Sequence, residues 1–247
     1  MKFTIVGCGD AFGSGGRLQT AYVLDAAGER LLVDCGATTL IGFARLGIDP
    51  LSIDHVVISH LHGDHFAGLI WLVMHGMYVR KRTKSLVVYG PPGIGQRFVA
   101  ASEALFSRST MVKRPFELSF VEMQARRPVH FGVFDATAFE VVHPSGAPSH
   151  ALRIAVGGKV WAFSGDTEWT DELLAAGQGA DVFVAECYRF DGAPVFHLSY
   201  RVMEKYFDRI GAKRYVMTHM AEDMLARRGE VVDARVILAE DGLVLAV

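Results

Sequence analysis

The chain has 247 residues, about half of them hydrophobic, and a formal net charge of −2. That size supports a sizeable core without disulfides, and the charge balance excludes a polycation built around nucleic acid. Three scattered cysteines (Cys8, Cys35, Cys187) make no C-x-x-C pair, which excludes a disulfide framework and a thiolate zinc site.

No basic and apolar leader precedes the first strand-like run, and no apolar run reaches membrane-spanning length. The expectation is therefore a cytoplasmic protein away from the membrane, folded as one domain over 1–247. Lys2 to Gly9 predicts a strand entering a glycine-rich turn. The G-x-G of Gly7-Cys8-Gly9 meets Phe12 where a dinucleotide loop needs a third glycine, and a strand follows rather than a helix. The turn is expected to shape a pocket floor instead. Ala21–Asp25 and Arg30–Asp34 predict a hairpin. Asp34, before Cys35-Gly36, reads as a turn-anchoring acid. Thr38 to Leu46 predicts a helix closed by Gly47 with Pro50 beyond.

Ile53 to Ile58 predicts a strand, and it runs into Ser59-His60-Leu61-His62-Gly63-Asp64-His65-Phe66-Ala67-Gly68. An apolar helix then extends to Tyr78. Three histidines and an aspartate within six positions thus sit where a strand ends and a helix begins. In such a turn His60 and His62 can face one point, and Asp64 and His65 a second beside it. Imidazole and carboxylate are the usual ligands of zinc and similar divalent ions. Trp71, Met74 and Met77 are expected in the core or as an apolar pocket wall. The run Arg80-Lys81-Arg82-Thr83-Lys84 suits the C-terminus of the preceding helix, with a phosphate landing patch as the alternative.

A strand over Ser85–Tyr89 and a helix over Ile94–Phe106 follow. The segment 106–120 lacks periodicity and reads as a flap or oligomer contact near the pocket. Strands are predicted over Leu118–Val121, Phe131–Phe134 and Thr137–Val142. The last delivers His143 at its end, ahead of Pro144; His150 comes next and reads as a bystander or supporting residue. Lys159 to Thr167 is again a strand with an acid, Asp166, at its end. A short helix (Asp171–Ala175), a strand (Ala180–Ala185), a strand ending in His219, and a helix from Ala221 to about Arg228 complete the pattern. Val232–Leu238 and Leu243–Val247 predict a final hairpin across Asp241-Gly242. Pattern alone supports an α/β chain with two strand-rich halves.

The string His60-x-His62-x-Asp64-His65 resembles the signature of the metallo-β-lactamase superfamily. His143, Ser164-Gly165-Asp166-Thr167 and His219 resemble its third, fourth and fifth motifs. The resemblance spans Gly7 to His219 and implies a four-layer αββα sandwich. It implies one metal held by His60, His62, His143 and Asp166, and another by Asp64, His65, Asp166 and His219. Zinc is the expected ion, with manganese or iron admissible. Two ions sharing a carboxylate generate a bridging hydroxide at neutral pH, and Asp64 joins the catalytic set as well as the ligands.

The glycine-rich start, Asp34-Cys35-Gly36 and His197-Leu198-Ser199 resemble the tRNase Z-like phosphodiesterase branch. There His197 matches a proton donor to the leaving group, and Glu186 a family acid behind it. The branch's pre-tRNA enzymes carry a long arm between the third and fourth motifs. Here His143 and Asp166 are too close for more than one hairpin. The expected substrate is therefore a small phosphodiester, of the cyclic nucleotide or cyclic phosphate type. The alternatives are a carboxylic ester, lactone, thioester or sulfate ester, then tRNA 3′-end processing, then a non-enzymatic metal-bound scaffold. A homodimer is common among such relatives.

Overall fold

The computed structural model describes residues 1–247. Its first half runs β1 (Lys2–Gly7), β2 (Ala21–Ala26), β3 (Glu29–Val33), α1 (Thr39–Leu46), β4 (His55–Val57), α2 (Gly63–Phe66) and α3 (Gly68–Tyr78). It continues through β5 (Leu86–Gly90), α4 (Ile94–Leu105) and β6 (Leu118–Glu122). The second half begins with β7 (Val129–Phe131), β8 (Phe134–Val141), β9 (Ser149–Val156), β10 (Lys159–Phe163), α5 (Glu172–Gly177) and β11 (Val182–Glu186). It ends with α6 (Tyr200–Glu204), α7 (Phe207–Ile210), β12 (Tyr215–Thr218), α8 (Glu222–Ala226), β13 (Val236–Leu238) and β14 (Val244–Ala246). No helix is long and apolar enough to cross a membrane, and all three cysteines are free and buried.

Two seven-stranded mixed sheets result, ordered β14-β1-β2-β3-β4-β5-β6 and β13-β12-β11-β10-β9-β8-β7. Alternate side chains of each strand go to opposite faces, and three separate apolar clusters follow from that. Tyr22, Leu24, Leu31 and Val33 of the first sheet join Trp161, Phe163, Val182 and Val184 of the second in a cluster between the sheets. Val23, Leu32 and Val56 turn the other way, onto Phe43, Leu69 and Phe98 from α1, α3 and α4. Ala162, Phe183 and Met217 likewise turn onto Leu173, Met203 and Phe207 from α5, α6 and α7. Three apolar interfaces between four layers make an αββα sandwich. Fully buried Trp161 marks its middle, with its ring 5.5 Å from Phe3 and 6.0 Å from Tyr22 of the opposite sheet.

The structure departs from the sequence pattern in three places. Asp241-Gly242 is not a hairpin: β13 pairs with β12 in the second sheet, whereas β14 pairs with β1 in the first. A hairpin signal reports a chain reversal, not which sheet the next strand joins. Phe131–Phe134 is not one strand: Phe131 ends β7 and Phe134 begins β8, the two paired across a tight turn at Gly132-Val133, with Gly132 at φ 52. Segment 106–120 does not border the cavity lined by His62, Asp64, His143, Asp166 and His219; its Phe116 is buried in the helix-covered core of the first half, and only Met111 and Val112 of its apolar residues are exposed. Trp71, Met74 and Met77 take the first of their two expected places: Met77 is buried in that same core, Trp71 and Met74 pack against it, and none of the three lines the cavity with the histidines.

The basic run has a structural use. Arg82 is buried and donates to the carbonyls of Ile53, Lys84 and Ser85, while Arg80 pairs with Asp49 and Lys84 with Asp54.

Candidate metal centre

Strands β3 and β4 run parallel, as do β10, β11 and β12. In open α/β sheets the crevice beyond the carboxyl ends of such strands gathers functional side chains. Asp34 follows β3, the His60–His65 turn follows β4, Asp166 follows β10, and His219 follows β12. His143 arrives from the end of antiparallel β8 at the same rim. Two close backbone approaches hold this rim together. A Cβ on Gly68 would stand 2.0 Å from the Gly36 carbonyl, and one on Gly36 would stand 2.3 Å from that of Asp64. Only glycine fits either position.

The structure brings all seven expected ligands together, in two groups. The donor atoms of His60, His62 and His143 lie within 4.8 Å of one another, as do those of Asp64, His65, Asp166 and His219. Asp166 stands between the groups. Its Oδ1 is 3.3 Å from His65 Nε2, and its Oδ2 is 3.3 Å from His219 Nε2, 3.9 Å from His60 Nε2 and 4.0 Å from His143 Nε2. Asp64 Oδ2 is 3.3 Å from His65 Nε2 and 3.2 Å from His219 Nε2.

The residues fit a metal on two grounds. His60 Nε2, His65 Nε2 and Asp166 Oδ1 are buried without a hydrogen-bond partner, a costly arrangement unless something else satisfies them. The local field also calls for positive charge. Burial works against the imidazolium of His219, but Asp166 and Asp64 outweigh it and lift that group to about 9. Burial opposes His65 in the same way, and Asp166, Asp64 and Asp34 raise it well above the ordinary range. His60, fully buried and beside His65, is driven the other way and stays neutral.

Supporting contacts orient these rings. His65 Nδ1 lies 2.6 Å from Asp34 Oδ2, which leaves Nε2 for the cluster. Asp34 Oδ1 and Oδ2 also accept from the Ser59 amide and hydroxyl, each at 2.7 Å. Asp34 is thus more than a turn anchor: it orients a candidate ligand, His65, 31 positions away, as carboxylates behind metal-binding imidazoles do. An acid at a strand end before Cys35-Gly36 was the available signal, but its partner was not. His143 Nδ1 lies 2.9 Å from the Phe196 carbonyl, and the His219 amide donates to the Cys8 carbonyl at 2.9 Å. Asp34, Phe196 and His219 all hold a left-handed backbone, at φ 55, 63 and 55. Each such non-glycine residue costs on the order of 1–3 kcal/mol and persists where its surroundings dictate it.

His197 and Glu186 meet beside the ligands. Glu186 is fully buried, and its Oε2 lies 2.9 Å from His197 Nδ1. Its Oε1 accepts from the Thr167 amide, next to Asp166. Burial opposes the His197 imidazolium, but the hydrogen bond and charge of Glu186 raise it. The ring stacks on that of Tyr188 at 4.7 Å and lies nearly parallel to that of His219 at 5.7 Å. His197, Tyr188 and Phe12 line a cavity of about 380 Å³ with His62, Asp64, His143, Asp166 and His219. That volume is in the range of small-ligand sites, and no lysine or arginine lines it. Larger hollows of about 430 and 670 Å³ elsewhere carry no ligand cluster.

His150 stays outside both groups. Its amide bonds the Ser59 carbonyl at 3.0 Å, and burial alone pushes its imidazole from 6.5 down to about 4. The unfolded chain therefore takes up this proton first as pH falls. The native state keeps its full advantage above about 6.5 and loses it progressively down to about 4, on the order of 3 kcal/mol. Denaturant titrations at pH 7, 5.5 and 4.5 should show His150→Gln losing less stability than wild type by roughly that amount. Parallel pH dependence would show that His150 is not held neutral.

Comparison with known proteins places these features. A family model described as "Anti-Pycsar protein Apyc1" matches residues 1–240. The chain is 25% identical over 256 residues to the probable metallo-hydrolase YhfI of Bacillus subtilis, covering 99% of each. The crystal structure of that protein superposes with a TM-score of 0.79 at 22% identity, over 99% of both chains. A ribonuclease Z of Methanothermobacter thermautotrophicus is 25% identical over 274 residues, covering 90% of this chain and 87% of its own length. The crystal structure of a diphosphatase from the PhnP family matches with a TM-score of 0.78 at 18% identity, over 100% of this chain and 97% of its own. The sandwich is the metallo-β-lactamase fold, in its tRNase Z-like branch.

Proposed function

We propose that this chain, which belongs to the Anti-Pycsar protein Apyc1 family, is a two-metal phosphodiesterase acting on a small diester of the cyclic nucleotide or cyclic phosphate type. The coarser activity, metal-dependent hydrolysis on a metallo-β-lactamase fold, is common ground with its relatives. His60, His62, His143 and Asp166 would hold one ion, and Asp64, His65, Asp166 and His219 the other. Bound divalent ions, zinc foremost, would supply Lewis acidity to water and to the phosphoryl oxygens.

The observation that carries the reading is the His197–Glu186 pair on the cavity wall. An alkoxide is a poor leaving group and needs a proton as it departs. Glu186 fixes His197 through Nδ1 and favours its protonated form, so that Nε2 can deliver a proton to the leaving oxygen. Asp34 and the Phe196 carbonyl meanwhile keep His65 and His143 in one orientation. A lining without lysine or arginine suits a diester, which carries a single negative charge, better than a polyanion. Only the β9–β10 hairpin separates His143 from Asp166, so no arm is present there to grip a folded RNA.

The test is metal analysis of protein purified without added metal, then turnover of cyclic nucleotides, bis(p-nitrophenyl) phosphate, p-nitrophenyl acetate and a pre-tRNA. Near two ions per chain, with diester cleavage that a chelator abolishes and zinc or manganese restores, is expected. Fully loaded protein that cleaves the acetate or the pre-tRNA in preference to the diesters would overturn the proposal.

A further inference from the structure

Phe12 is 85% exposed, although it lines the same cavity as five of the seven clustered ligand residues. Its loop is not slack. Buried Asp10 accepts from the Phe12 amide at 3.2 Å, the Ser14 amide at 2.9 Å and the Ser14 hydroxyl at 2.7 Å. Gln19 Nε2 donates to the Ala11 carbonyl at 3.1 Å, while its Oε1 accepts from the Ala37 amide at 2.8 Å. Residues on both sides of Phe12 are thereby pinned, and the turn presents a bare benzyl ring to water at the mouth of a polar cavity. Tyr188 is the other aromatic residue of the lining, and it is already stacked on His197.

A ring displayed in this way binds flat, apolar surfaces; nucleobases stack on such platforms with little regard to sequence. We propose that Phe12 is the stacking platform for the base of a nucleotide substrate, a specificity determinant that favours diesters carrying a base over diesters without one. This rests on the phosphodiesterase reading for its substrate, but the platform itself can be tested by binding.

In metal-loaded protein, kcat/KM is measured for cyclic AMP and for a base-free cyclic ribose phosphate, with wild type, Phe12→Ala and Phe12→Trp. Phe12→Ala should lower the ratio of the two values about ten-fold, mainly through KM, which is the order one stacked base contributes. Phe12→Trp should keep or raise it. In parallel, calorimetric binding of AMP and of ribose phosphate should show the preference for AMP falling about ten-fold in Phe12→Ala. If wild type cleaves neither diester but this preference still falls, the phosphodiesterase reading fails and the platform stands. An unchanged ratio and an unchanged AMP preference would overturn the platform. Light scattering distinguishes the competing use of the ring: a shift in oligomeric state with both preferences intact would make Phe12 a contact between subunits and would also overturn it.

Discussion

Asp166→Ala should abolish diester turnover, by about a thousand-fold or more, and lower the metal content of the purified protein. Asp166 is the one carboxylate within 4.0 Å of histidines from both candidate ligand groups, so its loss should weaken both at once. Several kcal/mol of charge stabilisation depend on bound ions in hydrolases of this kind, and each 1.36 kcal/mol is a factor of ten in rate. Asp166→Asn separates charge from shape: it keeps the volume and part of the hydrogen bonding but not the negative charge that draws His65 and His219 toward it. Metal per chain, measured with the circular dichroism spectrum as a folding check, should fall in both variants. Full metal occupancy and near-wild-type kcat in Asp166→Ala would remove it from the shared position.

His197→Ala should show a different pattern, with metal content retained and the rate lost according to the leaving group. A positioned general acid contributes about 10² to 10⁴ in rate. The loss should approach that range for cyclic nucleotides, whose alkoxide must be protonated, and nearly vanish for bis(p-nitrophenyl) phosphate, whose phenolate departs unaided. Glu186→Gln should lie between wild type and His197→Ala on the same substrates, since it leaves the imidazole in place without the buried charge that steadies it. Equal losses on both classes of substrate would mean that His197 positions the substrate and does not deliver a proton.

The candidate ligands were legible because metal chemistry admits few side chains, and the sequence places them after apolar runs of strand length. His143, Asp166 and His219 each follow such a run, so their convergence could be expected without knowing how the strands pair. Long-range pairing was the part that local pattern could not carry. Asp241-Gly242 has the composition of a hairpin turn, yet β14 crosses back to the first sheet, where it pairs with β1. Asp241 itself shows why: its carboxylate accepts from the Cys8 and Leu18 amides at 3.1 and 2.8 Å, more than 220 positions away. The bond between Asp34 and His65 was hidden for the same reason. Trp71, Met74 and Met77 stayed ambiguous between core and cavity wall because an apolar face has the same spelling whether it meets a cavity or another helix.

The candidate ligands divide unevenly between the halves of the sandwich, with His60, His62, Asp64 and His65 after β4 of the first sheet and His143, Asp166 and His219 after strands of the second. A cation bound by both sets would therefore staple one half of the molecule to the other, much as a disulfide closes a loop. Ligand binding to the native state alone adds stability by mass action, and a site of this kind exists only once both sheets have formed. On that view the free-metal concentration around the protein governs how long the folded chain survives as well as how fast it works, and metal starvation would expose it to proteolysis before any bond in it was altered.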